Sequence, residues 1–122
     1  MTPIQTIGLA PNPRKTEAVE LTRRLAGWLA ERHVQVRVAD EVAGMIGCPG
    51  LAESEDALAS ADLLVVLGGD GTLLRWNRLT APRGTPMIGV NFGRYGFITE
   101  IAPESAEAAL SSVLEGNYTI SV

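Results

Sequence analysis

The chain has one cysteine, one histidine and one lysine among 122 residues, and each scarcity closes off a class of function. A lone thiol, Cys48, forms no internal disulfide and builds no zinc cluster from thiolates. It sits in a Gly47-Cys48-Pro49-Gly50 turn and reads as a loop thiol rather than a nucleophile. His33 closes an apparent helix, where its charge suits the helix dipole, and is assigned a structural role. Lys15, the only lysine, lies in the first turn of the chain, so no glycine cluster carries the Gly-Lys-Ser/Thr ending of a P-loop. No run reaches about 18 consecutive apolar residues, and no basic segment leads into an apolar one at the amino terminus. Neither membrane span nor signal peptide is predicted, and the expected location is the cytoplasm. The net charge of −4 argues against nucleic-acid binding, which demands a basic surface.

What the chain does have is concentrated between Leu63 and Thr72, which read LLVVLGGDGT. An apolar β run stops at two glycines, an aspartate follows, and a third glycine and a threonine open a helix. Such a strand end puts backbone N–H groups and one carboxylate at the carboxyl edge of a sheet, where open α/β folds bind ligands. Gly68, Gly69 and Gly71 have no Cβ, which permits positive φ and a close approach to phosphate. Thr72 is expected to cap the helix, whose first N–H groups and dipole favour an anion. Asp70 does not bind phosphate directly, so its place implies work on a hydroxyl proton or on Mg²⁺. The same residues also suit an ordinary strand-to-helix turn with an Asx bond.

Charge is distributed to match. No Lys or Arg occurs from Val38 to Leu74, after which Arg75, Arg78, Arg83 and Arg94 follow. Arg78 and Arg83 suit a solvated helix face, whereas Arg75 stands one turn into the helix beside the loop. An acidic protein with local positive charge suits a soluble anionic ligand such as a nucleotide.

Around this motif strands and helices alternate. Ile4 to Ala10 is a strand ended by Pro11-Asn12-Pro13. From Thr16 to Arg32, Leu21, Leu25, Trp28 and Leu29 make an apolar stripe, with Glu20 and Arg24 set to pair on the outer face. Val34 to Ala39 alternates as a second strand, and the stretch to Gly50 reads as loop. A short helix is expected from Ser54 to Ala59. Leu63 to Leu67 is apolar throughout, as befits a central strand of a parallel sheet. A helix from Leu73 to Leu79, a strand from Met87 to Asn91 and a helix from Pro103 to Glu115 follow. Between the last two, GVNFGRYGF supplies Gly93 and Gly96 for a tight loop beside the first motif. The pattern predicts an α/β fold, a Rossmann-like three-layer sandwich around a mostly parallel central sheet. Tyr118 to Val122 alternates as a half-buried strand with nothing after it to pair or cover it. The expected division is therefore an α/β nucleotide-binding domain over 1–117 and, over 118–122, the start of a second, mostly β domain.

GGDGTLLR followed closely by PMIGVNFGRYGFITEI resembles the amino-terminal domain of NAD kinases, which carry a Gly-Gly-Asp-Gly-Thr loop and then a Gly-Val-Asn-x-Gly-x-x-Gly-Phe-x-Thr stretch. The resemblance implies transfer of the γ-phosphoryl group of ATP, or of polyphosphate, to the 2′-hydroxyl of the adenosine ribose of NAD, giving NADP. It implies Asp70 as the catalytic acid/base group and Asp70, Gly71, Arg75 and Phe97 as NAD-binding residues. It also implies Mg²⁺ or another divalent metal with ATP, and a homo-oligomer, dimer or tetramer, in the complete enzyme. Phe97 suits a core aromatic equally well. Phe92 and Tyr95 depart from the family's usual small or polar and aliphatic residues and are expected to reshape the pocket wall. The first strand leads into Pro-Asn-Pro rather than a glycine fingerprint, so NAD here would be substrate and not hydride carrier. Two other readings share part of the pattern. Lipid kinases of the diacylglycerol or sphingosine type share the Gly-Gly-Asp-Gly-Thr loop but differ at GVNFGRYGF, and a non-catalytic nucleotide-binding module would suit a single domain.

Overall fold

The computed structural model describes residues 4–92 and 100–116. Six strands, β1 (Thr6–Pro11), β2 (Gln35–Ala39), β3 (Ala52–Glu53), β4 (Leu63–Gly68), β5 (Met87–Asn91) and β6 (Glu100–Ile101), form one sheet in the order β3-β2-β1-β4-β5-β6. Every pairing is parallel. Among the described residues five α-helices accompany them: α1 (Thr16–Glu31), α2 (Asp40–Met45), α3 (Glu55–Ala59), α4 (Asp70–Thr80) and α5 (Ala106–Leu114).

The apolar run of β4 places it beside β1 in the middle of the sheet, and all six of its residues are buried. Its side chains alternate between two layers because strand periodicity is two. Leu63, Val65 and Leu67 pack on one face with Leu25 and Leu29 of α1 and Leu110 of α5. Leu64 and Val66 pack on the other with Leu58 of α3 and with Leu73 and Trp76 of α4. Helices thus cover both faces, the three-layer α/β sandwich expected. No helix among the described residues is long and apolar enough to cross a membrane.

Four local expectations change. The stretch after β2 contains a helix, α2, not only loop: Asp40 and Glu41 stand in its first turn, favourable to the dipole, while Val42 and Ala43 bury their side chains. Glu20 pairs with Arg23 rather than Arg24, because α5 offers Arg24 a partner in Glu107. The last helix opens with a 3-10 turn at Pro103–Ser105 and becomes α-helical only at Ala106. His33 closes α1 through its backbone rather than its charge, with φ at 62°. Its N–H donates to the Ala30 carbonyl at 3.0 Å and that of Val34 to the Leu29 carbonyl at 3.1 Å, a Schellman cap with histidine where glycine is usual. The expected strand from Tyr118 to Val122, and with it the domain boundary, lies outside the described residues.

Candidate active site

The sheet turns its winding between β1 and β4: the chain leaves β1 for α1 on one face and β4 for α4 on the other. At such a switch point the loops diverge and leave a crevice at the carboxyl edge. The Asn12 turn forms one wall. Its N–H donates to the Leu67 carbonyl at 2.8 Å, and its side-chain carbonyl accepts from the Arg14 N–H at 3.0 Å. The Gly-Gly-Asp-Gly-Thr segment forms the other wall.

That segment folds differently from the sequence expectation in two respects. Helix α4 begins at Asp70, three residues early, with Gly69 as its extended N-cap (φ −102°, ψ −172°) and no side-chain cap. The first turn is closed by the Leu73 N–H on the Gly69 carbonyl at 3.1 Å, so Thr72 lies inside the helix and does not cap it. The N–H groups of Asp70, Gly71 and Thr72 consequently point out of the helix end without intrahelical acceptors. Nor does the loop use positive φ, which among the described glycines occurs only at Gly47, Gly84 and Gly116. The glycines serve by their size. A Cβ on Gly68 would stand 3.0 Å from Thr72 and 3.3 Å from Asn12, whereas at Gly69 and Gly71 it would meet nothing within 4 Å. Gly68 lets three elements meet; Gly69 and Gly71 keep the approach to the helix end open.

Asp70 is exposed at the first helical position. Its Oδ1 accepts from the Asn91 Nδ2 at 3.2 Å. Asn91 is 2% exposed and ends β5 opposite Gly68, whose carbonyl accepts the Phe92 N–H at 3.1 Å. Asn91 is a site residue that the sequence reading missed. Its signal was a polar side chain closing an otherwise apolar strand.

A cleft of about 550 Å³ runs from this edge between α2, α3 and α4, lined among others by Asn12, Arg14, Thr72, Arg75 and Trp76. Arg75 enters it as expected, with its guanidinium 4.9 Å from the Trp76 ring centroid. It is paired with Glu55 of α3, and Arg83 is paired in the same way with Asp56. The positive charge that gathers along the sequence after Leu74 is therefore partly offset in space by α3. Phe92 packs into the α1-side core and lines a separate depression with Leu21 and Pro103, so it forms no part of the Arg75 cleft. Gly93, Arg94, Tyr95, Gly96 and Phe97 lie outside the described residues. No group of three or more metal-ligating side chains gathers among the described residues.

Thr72 and Arg75 of α4 line this cleft, while Asp70, fixed by one amide, stands exposed at the start of the same helix. Residues 7–118 match the sequence model of the ATP-NAD kinase N-terminal domain. The chain belongs to that family. It is 44% identical over 116 residues to the NAD kinase of Heliobacterium modesticaldum, covering 94% of this chain and 41% of that protein. It is 40% identical over 117 residues to the NAD kinase of Moorella thermoacetica, covering 96% and 38%. The chain thus spans about two fifths of the length of these NAD kinases. Among solved structures, yeast NADH kinase complexed with NADH superposes with a TM-score of 0.80 at 21% identity, over 96% of this chain and 40% of that one. An Archaeoglobus fulgidus NAD kinase in complex with ATP gives 0.65 at 24%, over 91% and 37%. Both likenesses are of fold.

Proposed function

We propose that this chain is the catalytic-loop domain of an NAD kinase, which moves the γ-phosphoryl group of ATP, or of polyphosphate, to the 2′-hydroxyl of the adenosine ribose of NAD. The observation that carries the reading is Asp70. It is a carboxylate exposed at a helix N-terminus, beside N–H groups suited to phosphate, and held by one neutral amide. Asp70 takes the proton of the 2′-hydroxyl as that oxygen bonds to the γ-phosphorus and the bridging β–γ oxygen leaves with ADP. The α4 N–H groups bind phosphate oxygens, the cleft along Asn12 and Thr72 takes the donor, and Arg75 binds NAD once Glu55 yields it. Gly71 and Phe97 contact NAD.

The donor set fits a divalent ion brought in as Mg·ATP rather than a resident one. Mg²⁺ keeps several waters and binds substrate phosphates, so the ion would arrive on the ATP phosphates and leave Asp70 to the hydroxyl proton. In this reading residues 1–117 form the nucleotide-binding domain and 118–122 open the second, in a homo-oligomer of the cytoplasm. The family match over 7–118 favours this reading over a lipid kinase.

The test is NADP formation by the full-length protein from NAD and Mg·ATP. Asp70→Asn is expected to lower kcat by about 10²–10⁴ while calorimetric NAD binding stays within about threefold. Equal losses of binding and rate would contradict the acid/base role.

A further inference from the structure

We infer that Asn91 is the positioning residue for Asp70, the side-chain link between the two glycine motifs that strand pairing and the Phe92 N–H on Gly68 bring side by side. The inference rests on the reading of Asp70 as proton acceptor. Asp70 stands at the first residue of α4 with its side chain exposed, free to rotate about two torsions, and among the described residues one side chain restrains it. That side chain comes from a buried, strand-paired position. Asn91 is the last residue of a strand paired along its whole length with β4, in register opposite Gly68, and it is 2% exposed. Burying an amide is costly unless its hydrogen bonds are made, so a polar residue at the buried end of an apolar strand signals a role for its bonds.

The chemistry of an amide suits the task. Its N–H donates to Oδ1 and fixes the carboxylate plane, leaving Oδ2 as the oxygen that meets a hydroxyl proton. An ammonium or guanidinium would fix the group equally well but would pair with its charge and weaken it as a base. A neutral donor orients without neutralising. Misplacing a reacting group by about 1 Å costs on the order of a hundredfold in rate, which sets the scale of the effect.

Two substitutions in the full-length protein test this, with steady-state kinetics, calorimetric NAD binding and thermal melts measured together. Asn91→Ala is expected to lower kcat about 10- to 100-fold, with NAD affinity within about twofold. Asn91→Asp keeps the shape but sets a second carboxylate against the first, and like charges in contact favour protonation of one of them. Its kcat is expected to depend on pH more steeply than that of the unmodified protein, falling further on acidification. A purely structural asparagine predicts instead a lower melting temperature with the pH–rate profile unchanged, and that result overturns the inference, as does unaltered kcat in both variants. Absence of NADP from the unmodified protein overturns the reading of function and this inference with it.

Discussion

β4 begins just after one aspartate and ends two residues before another. Asp62 Oδ2 accepts the N–H groups of Gln5 and Thr6 at 2.9 and 3.0 Å, and its own N–H donates to Thr6 Oγ1 at 3.0 Å. These bonds, the Gln5 N–H foremost, hold its carboxyl below the ordinary value of 3.8, against a smaller opposing effect of burial. Asp70, at the other end, receives one amide from Asn91 among the described residues and is exposed. The two residues are chemically identical and carry different duties. A carboxylate oxygen that accepts two backbone N–H groups from the neighbouring strand is a fastener between the starts of β1 and β4. Asp70 takes no backbone donor from another strand and instead stands at a helix N-terminus with one side-chain amide on Oδ1.

The largest expected effect separates these duties. Asp70→Asn removes about 10²–10⁴ of kcat and leaves the melting temperature nearly unchanged, whereas Asp62→Ala leaves kcat alone; a variant that does both would break the comparison. Next comes Gly68→Ala, where crowding against Thr72 and Asn12 is expected to cost about 1–3 kcal/mol in denaturant unfolding. Gly71→Ala, by contrast, keeps the fold and weakens binding of NAD and of ATP by about tenfold.

Asp62→Ala should cost about 1 kcal/mol, limited by the solvent around an exposed group. Because the folded-state value lies below the unfolded one, this stabilisation is complete above about pH 4 and is lost as pH falls through the folded value. The melting temperature of the unmodified chain should therefore drop more steeply than that of Asp62→Ala on acidification below pH 4. The smallest effect is at the same edge of the sheet, where His33→Gly relieves a left-handed φ of 62°. It should raise stability by about 0.5 kcal/mol after the added freedom of the unfolded chain is counted.

The parts legible in the sequence are those set by a short window. The β4 run declares a buried central strand, and the stripe Leu21, Leu25, Leu29 declares α1; both are buried as read. Asp70 and its glycines were visible as a strand end. The start of α4 was not, because the turn is closed by a main-chain bond from Leu73 to Gly69 rather than by a side-chain cap. Helix α2 was hidden by Gly44 and Gly47, which suggest loop until Val42 and Ala43 are seen packed in the core. The partners Asn91 for Asp70 and Glu55 for Arg75 lie 21 and 20 residues away. Such pairings depend on strand register and on which helices share a face, and no local pattern encodes them.

The place of β1 at the centre of the sheet has a consequence for how the molecule comes into being. Ile7 pairs with Val36 on one side and with Leu63 on the other, so as the chain is made the first strand finds its second neighbour only after more than fifty further residues exist. Closing that long loop is the expensive step, since non-local pairing must overcome chain entropy before packing rewards it. The same step brings Asn12 against Leu67 and Gly68, the two walls of the crevice. The β1–β4 pairing therefore holds the core and both walls of the crevice together, and a chain that lacks the one is expected to lack the other.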